Sequence, residues 1–211
     1  MLFLIFGSSA AGKTYVLNQL RSRSPELAIH DFDEIEVPEN ADAAWRQRAN
    51  EAWIKRALEY QHRGTDAVLA GQTPFGEFLA SPSSPRLEAI SACLLDCSDD
   101  VRLERLRRRG AGWRARVPGE LDDYVNWAAW MRGHASDPEF MTYVIRQEAS
   151  PADMRWDRWS DWKCGDPRWR VRIIDTSTLP VEQLAAELLG WIESERQLLR
   201  SGRHPLSQWA E

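Results

Sequence analysis

Residues 7 to 14, GSSAAGKT, have the types and the spacing to hold a polyphosphate chain. Gly7 and Gly12 permit backbone dihedrals closed to other residues, so that the N–H groups between them can converge on an anion. Lys13 adds a long cation and Thr14 a hydroxyl, which fills GxxxxGK[ST] without a mismatch. The expected chemistry is nucleotide binding. The backbone of Gly7, Ser8, Ser9, Ala10, Ala11 and Gly12 cradles ATP, Lys13 reaches its β and γ oxygens, and Thr14 ligates Mg²⁺. Only Lys13, Lys55 and Lys163 are lysine among 27 basic residues, so a lysine in this loop stands out.

A second candidate is HDFDEIE, residues 30 to 36. Ligands of a parallel sheet sit beyond the carboxyl ends of its strands, and two carboxylates there, Asp31 and Asp33, would both approach a γ-phosphate. In an extended strand, residues two apart share a face, so one of them can address the metal while the other reaches an acceptor.

The elements that must position these groups alternate between strand and helix. LFLIF (2 to 6) is an apolar run suited to a strand buried on both faces, and a helix from Lys13 to about Arg21 follows the loop. Residues 27 to 33 form a second strand. Trp45, Ala49, Trp53, Ala57 and Tyr60 mark one face of a helix over 43 to 62. Strands at 65 to 71 and 89 to 96 follow, separated by a Pro/Ser-rich connection. The next helix is capped by Ser98, acidic at Asp99 and Asp100, basic at Arg107 to Arg109, and closed by Gly110. Residues 169 to 177 give a fifth strand, and Thr178 with Pro180 begins a helix whose Val181, Leu184, Leu188 and Ile192 face the core. The fold class is α/β: a five-stranded parallel sheet with helices on both faces, in one domain over 1 to 211. Residues 110 to 168 break the alternation. They are expected to form an inserted, Trp-rich lid with helices near 120 to 132 and 138 to 148, the second capped by Asp137 and opened by Pro138. Residues 200 to 211 read as a polar tail.

A net charge of -5 disfavours polynucleotide substrates. Three cysteines in no metal or disulfide spacing suit a reducing cytoplasm, and the apolar start is too short to span a bilayer. The expected partners are ATP and a small-molecule acceptor, with no membrane and no nucleic acid, and a homodimer left open.

On its phosphate loop, its Asp31-x-Asp33 pair and its order of elements, residues 1 to 109 and 169 to 195, the chain resembles the P-loop small-molecule kinases of the shikimate kinase and adenylate-kinase-like groups. That resemblance implies that Asp31 positions Mg²⁺ through water and that Asp33 orients and deprotonates the acceptor hydroxyl. It also implies that the turn after the third strand, AGQTPFGE, meets the acceptor, with Gln72 and Thr73 adding hydrogen bonds. The turn lacks the glycine triplet of shikimate kinases, which puts shikimate itself in doubt. RLRRRGAGWRAR (105 to 116) is similar to a lid entrance in which Arg109, Arg114 and Arg116 fold over the phosphates while Arg105 and Arg108 lie beside the adenine. Asp175, Thr176 and Ser177 correspond to the turn near the base.

Seven of the 11 tryptophans fall in or just after the insertion, Trp156 and Trp159 among them. They serve either as packing mass or as stacking surfaces for an acceptor. A nucleoside or nucleotide is the first acceptor variant, with Arg46, Arg48, Lys55 and Arg56 available for an acceptor phosphate. The reading from another class is an NTPase switch acting through a protein partner. AVLAG ends without the metal-binding aspartate such a switch would place there, which counts against it.

Overall fold

In the computed structural model, which describes residues 1–109 and 120–207, five strands form one parallel sheet. They are β1 (Leu2–Phe6), β2 (Ala28–Asp31), β3 (Ala67–Gly71), β4 (Ile90–Asp96) and β5 (Val171–Asp175), in the order β2-β3-β1-β4-β5. Leu2 lies opposite Ala67 and Ile90, and Phe6 opposite Gly71 and Leu94. β1 is therefore central and buried at every residue, which is why its sequence is continuously apolar instead of alternating. Its carboxyl end delivers the 7–14 loop between the ends of β3 and β4.

Among the described residues six α-helices cover the sheet: α1 (Lys13–Arg23), α2 (Ala43–His62), α3 (Phe75–Ala80), α4 (Asp99–Arg108), α5 (Glu120–Ser136) and α6 (Val181–Arg200). On one face Phe3, Ile5, Val68 and Leu95 pack against Val16, Leu17 and Leu20 of α1 and Leu184, Leu188 and Ile192 of α6. On the other, Leu2, Leu4, Leu69 and Leu94 pack against Trp53, Ile54 and Ala57 of α2, Phe75 and Phe78 of α3, and the inserted segment. α2 starts where Asp42 accepts a hydrogen bond from Trp45 N at 2.7 Å, and α4 where Ser98 accepts one from Val101 N.

The structure departs from the sequence reading in four places. β2 stops at Asp31, because that side chain caps a short 3₁₀ turn, Phe32–Glu34, and Glu34 reaches back to Asp31 N at 3.0 Å. α3 fills part of what reads as a plain connection. The segment 138–148 forms no α-helix: Met141 takes a left-handed conformation (φ 41°), and its carbonyl accepts the Trp130 indole N–H at 3.2 Å, leaving a single 3₁₀ turn at Thr142–Val144. Residues 204–206 are not a solvated tail, since His204 and Leu206 are buried and His204 Nε2 lies 2.8 Å from Ser91 Oγ. Gly110 lies outside the described residues.

The insertion, α5 included, is built into the core. Trp130, Trp159, Trp162 and Trp169 belong to the same apolar cluster as Leu2 and Leu4. Trp159 donates to Gly76 O at 2.9 Å and Trp169 to His134 O at 3.0 Å. His134 stacks on Trp130 (4.8 Å between centroids) and meets Trp159 and Trp169 edge-on.

Neither nitrogen of His134 has a hydrogen-bond partner among the described residues, and burial pushes its pKa down to about 4. The folded chain therefore holds this ring neutral while the unfolded chain protonates it near pH 6.5. The stability His134 permits is complete above that pH and is lost as pH falls from about 6.5 toward 4. Urea unfolding should show a loss of about 2 kcal/mol between pH 7 and pH 5. His134→Phe, which cannot titrate, should flatten that interval, and an unchanged slope would remove His134 as its cause.

Candidate active site

The loop after β1 is shaped by close approach and by left-handed backbone. A Cβ at Gly7 would stand 2.2 Å from Leu95 O, and Gly12 has φ 95°. Ala10 also sits at φ 64°, which costs a residue with a Cβ about 1 kcal/mol. Every carbonyl from Gly7 to Ala11 is occupied by a side chain. Lys13 Nζ donates to Gly7 O (2.8 Å) and Ser8 O (3.1 Å), Arg102 to Ser9 O (2.5 Å), Arg105 to Ala10 O (3.2 Å) and Thr176 Oγ1 to Ala11 O (3.1 Å). The amides of Ser9, Ala10, Gly12 and Lys13 have no acceptor among the described residues. The result is a nest of donors at the start of α1, the arrangement that binds phosphate.

Across from this nest stand the carboxylates. Thr14 Oγ1 is 3.5 Å from Asp31 Oδ2, while Asp31 Oδ1 accepts from Asp33 N at 3.2 Å. Lys13, Thr14, Asp31, Asp33, Gln72 and Arg109 line one cleft of about 90 Å³. Burial lowers the Lys13 pKa to about 8, against the opposing pull of Asp31 and Asp33. Burial first, and the neighbouring Asp31 second, raise the Asp33 carboxyl above its usual range, with Lys13 opposing. A second cavity of about 460 Å³ adjoins it, lined by Tyr15, Arg105, Arg108, Arg109, Thr176, Leu179 and Leu184. Its mix of apolar wall and guanidinium groups suits a planar base.

No protein-family model and no curated protein matches the sequence. Solved structures do match in three dimensions. A gluconokinase from Sinorhizobium meliloti is 14% identical over 96% of this chain and 97% of that one, with a TM-score of 0.60. A sugar kinase from a Janibacter species is 16% identical over 91% and 94%, at 0.56. A shikimate kinase from Acinetobacter baumannii is 16% identical over 92% and 93%, at 0.50. The chain shares the α/β fold of these solved structures.

Within this fold, the structure brings Gly7 to Thr14, Asp31, Asp33, Gln72, Arg105, Arg108, Arg109 and Thr176 around the two cavities or onto the loop itself. Other nominated residues stand elsewhere. Asp33 lies on the 3₁₀ turn, not on the strand, so its direction is set by the Asp31 cap and not by strand alternation. Thr73 is fully buried and donates to Asn50 Oδ1 at 2.6 Å, pointing below the acceptor turn. Asp175 accepts from Ser177 N and Oγ, so those two close a local turn. Arg56 lies over Trp53 (4.8 Å to the ring centroid) and lines neither cavity. Trp159 is core, and Trp156 packs edge-on against it. Arg114 and Arg116 lie outside the described residues.

Three contributors escape the sequence reading. Arg102 is fully buried beneath the loop, Tyr15 is 74% exposed between the two cavities, and Glu77 is fully buried beneath the acceptor turn. Glu77 receives Arg46 through Nε (2.9 Å) and Nη2 (2.7 Å), Gln47 at 3.1 Å and Asn50 at 3.1 Å. The readable signal for Arg102 is its spacing: it stands four residues before Leu106, on the helix face where an apolar side chain belongs.

Thr176 tests the loop directly. Its hydroxyl bonds both Ala11 O (3.1 Å) and Asp96 O (2.9 Å) without touching the phosphate side. Thr176→Val should weaken tripolyphosphate binding about five- to tenfold by calorimetry, the scale of a lost buried hydrogen bond. Unchanged affinity would show that the Ala11 carbonyl needs no holding.

Proposed function

We propose that this chain is a Mg²⁺- and ATP-dependent phosphotransferase that moves the γ-phosphoryl group to a hydroxyl of a small metabolite. The observation that carries this reading is geometric: Asp33 lines the same cleft as Lys13 and Thr14, beside the open amides of the loop. A base of raised pKa takes a hydroxyl proton more readily than an ordinary carboxylate. Thr14 and Asp31 would hold the metal. Both offer hard oxygen donors 3.5 Å apart, which fits the ligand preference of Mg²⁺. When bound, the ion would supply charge neutralisation for the phosphate chain.

The chain's own groups supply the rest. The loop amides and Lys13 fix the phosphate chain, Arg109 stands where charge develops, and the adjoining cavity takes the base. Asp33 orients the acceptor oxygen and accepts its proton as the new O–P bond forms and the bond to the departing ADP breaks.

A hydroxyl acceptor is favoured over a nucleotide by the placement of the basic groups on α2. Arg46 is committed to the buried Glu77, Arg56 lies over Trp53, Lys55 pairs with Glu51 at 3.3 Å, and Arg48 lines a separate groove with Lys55 and Asp153. None of them lines the cleft where an acceptor phosphate would need a cation. The structural neighbours, a sugar kinase and a gluconokinase among them, support the same class.

The protein with Mg²⁺ and γ-labelled ATP, with and without a pooled panel of sugars, sugar acids, polyols and nucleosides, should give a labelled small molecule. Lys13→Ala should abolish that product. Asp33→Asn should lower kcat by roughly 10²- to 10⁴-fold while changing ATP affinity little. Release of free phosphate alone, at a rate that neither the panel nor Asp33→Asn alters, would move the reading to a nucleotide-dependent switch.

A further inference from the structure

Arg102 occupies a core position of α4, and none of it reaches solvent. A buried guanidinium carries a desolvation cost that an apolar side chain of similar volume avoids. Here the cost is not fully offset, since Nε has no acceptor among the described residues. The terminal nitrogens account for its presence. Nη1 donates to Ser9 O at 2.5 Å, and Nη2 donates to the Asp96 carboxylate and toward Cys97 O at 3.4 Å. The other oxygen of Asp96 accepts from Arg132 of α5 at 3.0 Å, and Arg132 also reaches Asp99 at 3.3 Å.

A second tie joins the same two parts. Ser8 is buried, and its Oγ donates to Tyr124 O of α5 at 2.8 Å. Adjacent loop residues are thus fastened to one helix, Ser8 directly and Ser9 through Arg102, Asp96 and Arg132. The same helix carries Trp127, whose ring lies 5.3 Å from the Arg46 guanidinium, and Arg46 binds the Glu77 that also holds Asn50 and, through it, Thr73. α5 therefore touches supports of both halves of the cleft.

We propose that Arg102 is a positioning residue that fixes the curvature of the phosphate loop at Ser9 and, through Asp96 and Arg132, makes that curvature depend on where α5 sits. The proposal rests on the phosphate-binding reading of the loop. A charged, forked side chain is required at position 102 because a single donor cannot hold the Ser9 carbonyl and the Asp96 carboxylate together. Phosphate held by the loop should then stiffen α5, and loosening α5 should cost phosphate affinity.

The test uses the full chain as wild type, as the Arg102→Met/Asp96→Asn double variant, which removes the ion pair without stranding a charge at position 102, and as Arg132→Met. Hydrogen exchange is followed with and without Mg-ATP or tripolyphosphate, beside melting temperatures. In the ligand-free double variant, amides of residues 7–14 should exchange about tenfold faster while those of β3 do not change, and affinity for both probes should fall about tenfold. In Arg132→Met, the ligands should still protect the loop but no longer slow exchange in α5, an effect that mere destabilisation would not confine to one helix. Wild-type loop exchange and probe affinity in the double variant would overturn the proposal. Should the double variant not fold, Arg102→Lys, which keeps the charge but not the fork, carries the same comparison. If wild type binds neither probe, the phosphotransferase reading falls, and the ligand-free loop exchange still decides the role of Arg102.

Discussion

A row of backbone amides can face a phosphate chain only if the carbonyls between them are held by something else. Peptide groups carry donor and acceptor together, so an anion nest is also an obligation to satisfy the oxygens it displaces. Here that obligation is met by Lys13, Arg102, Arg105 and Thr176, drawn from α1, α4 and the turn after β5. Much of the architecture follows from it. β4 must end beside β1 so that Asp96 can hold Arg102, and β5 must end beside β4 so that Thr176 can reach both Asp96 O and Ala11 O. The parallel order β2-β3-β1-β4-β5 is the arrangement that brings these ends to one edge.

The tryptophans of the inserted segment answer a different constraint. Outside the described helices, residues 137 to 170 contain little regular structure, so they cannot bury an amphipathic face in the usual way. Large rings with one polar edge solve this, because each indole buries much area and its N–H can satisfy a backbone carbonyl. Trp130, Trp159 and Trp169 do so with Met141, Gly76 and His134. The segment is thereby fused to the sheet's core, and the aromatic residues that a sequence offers for an acceptor are largely spent on packing.

What was legible in the sequence tracks how local the governing physics is. β1, β4, α2 over its full length, and the 7–14 loop between β1 and α1 are encoded by runs and spacings within a few residues, and these stand close to where the pattern puts them. The 3₁₀ turn at Phe32–Glu34 depends on a reciprocal cap that the alternating pattern of a strand conceals, so the direction of Asp33 could not be read. Thr73 points away from the cleft because its partner, Asn50, comes from a helix distant in sequence, whereas Arg56 lies over Trp53, three residues earlier on its own helix. Glu77 and Arg102 are invisible for the same reason: a charged residue is read as solvated unless its partner, here Arg46 or Asp96, is also known.

The buried Glu77 unit has a consequence for how this protein could diverge. It fixes the floor beneath the acceptor turn, joining α2, α3 and the segment that follows α5 through Arg46, Gln47 and the Ile145 carbonyl. Substitutions there would strand a charge in the core, so drift is confined to positions above it, such as the exposed Gln72 and residues 36 to 41. Under the phosphotransferase reading proposed above, substitutions in this thin surface layer would change which acceptor is taken while the loop and its buried supports stay as one block.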